Sequence, residues 1–197
     1  MLDKSLVKKK PFETISSFGQ TIASAVKSLP ILQVILASCF IALCAQIKIP
    51  LYFTPVPFTV QSIGVMLVGS VLGSRKGALA ALAYLTQGAL GLPVWSGGAS
   101  GGLAYLMGPT GGYLMAYVVQ AYMIGFFVER YTRANLFKIM GVLVLSICVQ
   151  LSIGSLWLAQ FVGLERCFTL GCFPFILGDA AKAFLVATSI RFFRKKS

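Results

Sequence analysis

The sequence predicts an all-α integral membrane protein: a six-transmembrane-helix bundle preceded by a basic amphipathic segment. Three observations carry that reading. Of the 197 residues, 57% are hydrophobic and only 11% charged, where an ordinary soluble domain carries about 25% charged residues. Mean hydropathy is +0.86. The apolar residues gather into runs separated by proline, glycine and basic residues, and about six spans of roughly 20 residues would use most of the chain. No room is left for a separate soluble catalytic domain. The expected division is a cytoplasmic N-terminal segment, residues 1–30, and one membrane domain, residues 31–197.

In the N-terminal segment, Lys4, Lys8, Lys9 and Lys10 precede Phe12, Ile15, Phe18, Ile22, Val26 and Leu29. Spacings of three and four put the apolar side chains on one helical face, as in a helix lying on a membrane surface; the alternative is a disordered basic tail. Pro30 ends the helix. A first span follows from about Ile31 to Ile47. Pro50, Pro55 and Pro57 then mark a loop, because proline lacks the donor a helix needs. The second span covers about Thr59 to Leu72, and Gly73-Ser74-Arg75-Lys76-Gly77 reads as a tight charged turn. The third span covers about Ala78 to Leu90. A glycine-rich stretch, Gly91 to Gly112, leads to a fourth span at about Tyr113 to Val128. The fifth is expected at about Phe137 to Val162 and the sixth at about Gly171 to Phe193.

Basic residues set the orientation, since cytoplasmic connections collect Lys and Arg. With the N-terminus inside, inner segments hold Lys4, Lys8, Lys9, Lys10, Lys27, Arg75, Lys76, Arg130, Arg133, Lys138, Arg191, Arg194, Lys195 and Lys196; outer segments hold only Lys48 and Arg166. That bias predicts an even number of spans in the cytoplasmic membrane, with both termini cytoplasmic. Several spans are short for a bilayer about 30 Å thick. Short or broken spans are tolerated where they line a cavity rather than lipid, so a cup open on the outer side is expected.

The net charge of +12 is scattered between and beside apolar runs and forms no single stripe. Anionic membrane lipids fit it as partners; nucleic acid does not. There is no histidine, which removes the commonest metal ligand and general base. The five cysteines include no C-x-x-C pair, so no metal or redox motif is expected. Cys167 and Cys172 share a short connection and would pair only in an oxidising compartment. No Walker-type lysine appears, which argues against nucleotide hydrolysis by this chain. No enzyme and no cofactor is expected.

Asp179 and Lys182 are the acid and base that fall well inside an apolar span. Each charge there costs about 2.5–3.5 kcal/mol on insertion scales, so it needs a partner, water or a ligand. A spacing of three places both on one helical face. Gly178 and Ala180 keep their surroundings uncrowded. The pair is either a packing device or, as the favoured reading, part of a small-molecule site. The glycine-rich stretch has eight glycines in its 22 positions and no charge, which suits close backbone approach to an uncharged ligand body or a loop folded over the site. Its Trp95 and Tyr105, with Tyr113 beyond, are placed to line a pocket or to anchor at the interface. Gln87 is a lone amide near the outer end of the third span, fit to bond a ligand or a neighbouring helix. Ser38, Ala42 and Ala45 form a small-residue face that permits close contact within the bundle or with another membrane subunit.

These residues resemble the BioY family, the biotin-specific substrate-binding components of energy-coupling factor transporters. The resemblance runs through Ile49-Pro50-Leu51, Pro55-Val56-Pro57-Phe58-Thr59-Val60-Gln61, Gly91-Leu92-Pro93-Val94, Gly108-Pro109-Thr110-Gly111-Gly112-Tyr113 and Pro174-Phe175-Ile176-Leu177-Gly178-Asp179-Ala180-Ala181-Lys182, from about Ile31 to the C-terminus. It implies a six-helix S-component fold, an outward-opening cavity, and biotin held partly by Asp179 and Lys182, with Gln87 as a further polar contact. It also implies a transmembrane coupling protein docked on the Ser38–Ala42–Ala45 face and a separate ATPase pair. The glycine-rich loop lacks the cation that family members often add, which shifts carboxylate recognition toward Lys182. Two other functions remain open on the residues alone: a stand-alone transporter with Asp179 carrying a proton, and a lipid-modifying membrane enzyme with Asp179 as acid or base.

Overall fold

The computed structural model describes residues 29–131 and 135–196. The chain divides into two units, Met1–Gln33 and Val34–Ser197. The expected amphipathic segment falls on residues 1–28, outside the described residues, and only the opening of the first helix belongs to the first unit.

Helix α1 (Pro30–Gln46) starts at the proline whose missing N–H is no loss at a helix N-terminus. It has 17 residues, about 26 Å at 1.5 Å per residue. The proline-rich connection that follows is bracketed by β1 (Lys48–Ile49) and β2 (Phe58–Thr59), which pair antiparallel with Lys48 opposite Thr59 and Ile49 opposite Phe58. This short ladder was not anticipated in an all-α chain. Two residues per strand carry no readable periodicity, and the pairing closes the base of the loop around Pro50, Pro55 and Pro57.

Helix α2 (Gln61–Ala89) contains the expected second and third spans as two arms. The arms meet at Gly73, whose φ of 82° and ψ of −177° lie outside the helical region. The turn expected over residues 73–77 is thus made by one residue, and Arg75, Lys76 and Gly77 already belong to the second arm. A glycine is required because φ is positive. Glu129 accepts from the Ser74 backbone N–H at 2.9 Å and from its hydroxyl at 2.7 Å. A carboxylate at a helix N-terminus satisfies orphan donors and opposes the helix dipole, so Glu129 caps the second arm from a neighbouring helix.

Beyond the glycine-rich stretch with its short helix α3 (Gly102–Leu106) come α4 (Gly111–Arg130), α5 (Leu136–Val162), α6 (Leu164–Gly171) and α7 (Phe173–Lys196). Asn135 caps α5 by accepting from the Lys138 N–H at 3.0 Å. Helix α4 is central: it packs most extensively against α2 and next against α5. A Cβ on Gly125 of α4 would overlap the backbone of Gly73 and Ser74, so the two chains touch there without side chains between them. One apolar cluster joins Ile41, Val65, Tyr84, Trp95 and Tyr117; a second joins Met66, Tyr113, Ile124, Leu143, Leu158 and Val186.

The outward faces remain apolar: Leu43, Val71, Phe137, Leu177 and Leu185 are all exposed. In water such a surface would aggregate; against lipid it is the expected covering. Among the described residues, four stretches are long and apolar enough to cross a membrane, namely Gln61–Ala89, Gly111–Arg130, Leu136–Val162 and Leu164–Phe192, and α1 is a shorter apolar helix.

Candidate functional site

The pair that stood out in the sequence is built as expected for neighbours on one helical face. Lys182 Nζ donates to Asp179 Oδ1 at 2.8 Å across one turn of α7, and both side chains are buried. Lys182 has two further partners from outside its helix. It donates to Ser62 Oγ of α2 at 3.0 Å, and Nζ lies 3.8 Å from the centroid of the Phe58 ring, within the range of a cation–π contact. Lys182 therefore ties α7, the start of α2 and β2 to one point. Gly178 makes this possible: a Cβ there would overlap the Phe58 ring. The same ring stacks on Phe175, one turn back along α7, with centroids 6.3 Å apart.

Around the pair is an inner chamber of about 40 Å³, lined among others by Thr59, Ser62, Tyr117, Gln150, Asp179 and Lys182. Its wall is built from five elements, β2, α2, α4, α5 and α7, and mixes these polar groups with apolar side chains such as Leu151 and Phe175. Tyr117 and Thr59 both face the chamber. Gln150 of α5 is buried with Oε1 lacking a partner among the described residues, which leaves an acceptor facing a chamber that already offers a carboxylate and an ammonium.

A larger cleft of about 450 Å³ lies between the proline-rich loop and the glycine-rich stretch, lined by Lys48, Leu51, Thr54, Pro57, Tyr105 and Pro109 among others. Pro57 belongs to both walls, so cleft and chamber adjoin. Small-molecule sites usually measure about 300–1,000 Å³; the cleft falls in that range and the chamber alone does not. The loops that form it are fastened to the helices. Thr54 Oγ1 donates to the Leu170 carbonyl at 2.8 Å, Trp157 Nε1 to the Gly108 carbonyl at 2.9 Å, and the Gly97 N–H to the Ala45 carbonyl at 3.0 Å.

Of the other residues singled out in the sequence, Tyr113 lines the inner chamber. Its hydroxyl donates to the Gly171 carbonyl at 2.7 Å, so it positions the α6–α7 junction and offers the chamber its ring. Gln87 and Trp95 reach neither cavity. Gln87 Nε2 donates to Ser38 Oγ at 2.9 Å, the interhelical alternative for a lone amide. Trp95 is fully buried, edge-on to Tyr84 and stacked on Tyr105, because Gly88 leaves a slot that a Cβ would close. Of the small-residue face, Ser38 and Ala45 have no exposed surface and Ala42 is half-buried. All five cysteines are free, and Cys167 lies buried within α6. Ser62, Tyr117 and Gln150 escaped notice in the sequence, and Phe58 and Thr59 stood there only as part of a family motif, without a role of their own. Gln150 had a signal, a lone amide in an apolar span; the others looked like ordinary loop or helix residues.

Comparison with known proteins bears on this arrangement. The chain is 42% identical over 154 residues to a probable biotin transporter BioY of Pyrococcus horikoshii, covering 77% of this chain and 89% of that one. It is 38% identical over 166 residues to the biotin transporter BioY of Rhizobium etli, covering 80% and 88%. Its fold matches the crystal structure of the S-component for biotin from an ECF-type ABC transporter with a TM-score of 0.77 and 31% identity, over 89% of this chain and 94% of the other. These relatives are transporters, not enzymes. A family model described as the BioY family matches residues 17–197, and the chain belongs to the BioY family.

Proposed function

We propose that this chain binds biotin with high affinity at the outer side of the cytoplasmic membrane and serves as the substrate-specific subunit of an energy-coupling factor transporter. The observation that carries the reading is the buried Asp179–Lys182 pair with Ser62 in a small chamber, whose wall shares Pro57 with a ligand-sized cleft. Biotin combines a cyclic urea, an apolar bicycle and chain, and a terminal carboxylate. The urea has two N–H donors and one carbonyl acceptor. Asp179 suits the donors, Lys182 and Ser62 suit the acceptor, and charge-assisted hydrogen bonds are the stronger kind. Phe58, Phe175 and Tyr113 supply apolar surface beside them.

On this reading the ligand body fills the outer cleft and one polar end enters the chamber, displacing the Phe58 ring from Lys182. Six crossings follow if each arm of α2 counts as one, which keeps both termini on the cytoplasmic side as the basic residues require. A transmembrane coupling protein and an ATPase pair would drive release inward, since the sequence carries no nucleotide-hydrolysing motif of its own.

The experiment is native mass spectrometry of the full-length protein purified in detergent from cells grown with biotin. A mass increment equal to one biotin, lost on dialysis with a competitor and regained on addition, is the expected result. Protein that carries no biotin and acquires none at micromolar biotin would overturn the proposal.

A further inference from the structure

Lys48 stands apart from the other basic residues. It is one of two Lys or Arg placed in the outer connections by the topology, and among the described residues lining the outer cleft it is the one that carries a charge. Its side chain is not adrift. The aliphatic stem crosses Gly97 so closely that a Cβ there would overlap Cδ and Cε, and Nζ donates to the Ser96 carbonyl at 3.4 Å. Gly97 takes a positive φ of 67°, so the crossing depends on a residue that is glycine for two reasons. A single long contact to a carbonyl leaves donors of the ammonium available.

Its position relative to the chamber is fixed by the short ladder. Lys48 pairs with Thr59, and Thr59 lines the inner chamber. The strand pair thus presents a chamber residue on one strand and a cleft residue directly opposite on the other. The site runs from a polar chamber holding both charges of an ion pair, past Pro57 and the ring of Tyr105, to one cation in an otherwise uncharged cleft. In the chamber Lys182 is already matched by Asp179 at 2.8 Å, so a ligand anion placed there would meet a carboxylate as well as an ammonium. At Lys48 it would meet only the cation.

We propose that Lys48 is the anion-reading residue of the site: it takes the terminal carboxylate of the ligand, while Asp179 and Lys182 hold the uncharged polar head. This rests on the biotin reading above and gives the ligand one direction, head group inward and carboxylate at the cleft. It also replaces Lys182 as the carboxylate partner expected from the sequence, with a cation from the loop after α1 standing where the glycine-rich loop has none.

The test compares biotin with biotinamide, in which the carboxylate is neutral, by calorimetry on the full-length protein in detergent. The parent protein should prefer the acid by about tenfold, the scale of a hydrogen bond to a charged group, and the preference should shrink as salt is raised because Lys48 is exposed. In Lys48→Met the preference should fall to near unity, and Lys48→Arg should restore most of it. Lys182→Ala should weaken acid and amide alike. A Lys48→Met protein that keeps the parent's preference overturns the assignment while leaving biotin as the ligand. So does loss of the preference in Lys182→Ala. Failure of the parent to bind either compound overturns the biotin reading and this assignment with it. Monodispersity and thermal unfolding of each variant establish that it is folded; Lys48 is an exposed strand residue whose replacement disturbs no core.

Discussion

Asp179 and Lys182 were legible because charge in an apolar helix is costly and therefore has a reason. Their neighbours were not, because a sequence displays spacing along one helix and hides what a different helix brings. Ser62 and Gln150 arrive from α2 and α5, and nothing local distinguishes them. Gln87 and Trp95 show the reverse. Each had a ligand reading and a packing reading, and the packing partners found in the structure, Ser38 and the slot at Gly88, lie 49 and 7 residues away. The buried pair permits a prediction that separates its binding role from packing. Lys182→Met leaves Asp179 buried and unpaired and should destabilise the protein by about 3–5 kcal/mol. The double variant Asp179→Leu/Lys182→Met should recover most of that stability, since a buried ion pair replaced by apolar residues is often neutral, yet bind no biotin. Thermal unfolding in detergent measures the first effect and calorimetry the second. Equal stability of the single variant and the parent would show that the charges are not buried as described.

At the scale of elements, the apolar runs located the helices to within a few residues, because each run needed a full apolar face toward lipid. The turn at Gly73 was expected as five residues and is one. The glycine supplies the positive φ, Glu129 supplies the cap, and the cap comes from 55 residues away. The ladder Lys48–Ile49 with Phe58–Thr59 and the helix Gly102–Leu106 were too short to leave a pattern. The α2–α4 contact yields a paired prediction. Gly125→Ala would force a Cβ into the Gly73–Ser74 backbone, where nothing flexible can give way, and should destabilise by about 1–3 kcal/mol as overpacking does. Gly141→Ala, in α5 with open space around it, should be neutral or stabilising by up to about 1 kcal/mol, because alanine is the better helix former. Parallel melting curves decide it; a tolerant Gly125 or a damaging Gly141→Ala would contradict the packing. Glu129→Ala should likewise lower the melting temperature, and Glu129→Gln, which keeps an acceptor, should lower it less.

At the scale of the molecule, the distribution of charge fixed the class and the proposed orientation before any contact was known. A surface apolar outside and a polar chamber inside is the inverse of a soluble protein's order, and it follows from lipid as solvent. With six crossings, reporters attached at Met1 and at Ser197 should both be shielded in right-side-out vesicles and both accessible in inverted ones. Opposite accessibility would require an odd number of spans and would put the outer cleft in doubt. The chamber alone is smaller than a small-molecule site, and the central proposal is that the cleft admits one polar end of the ligand to the buried ion pair. Titration of biotin into the folded Asp179→Asn and Lys182→Ala proteins, measured by calorimetry beside the parent, tests that directly. The account predicts at least a tenfold loss of affinity in each, and unchanged affinity in both would contradict it.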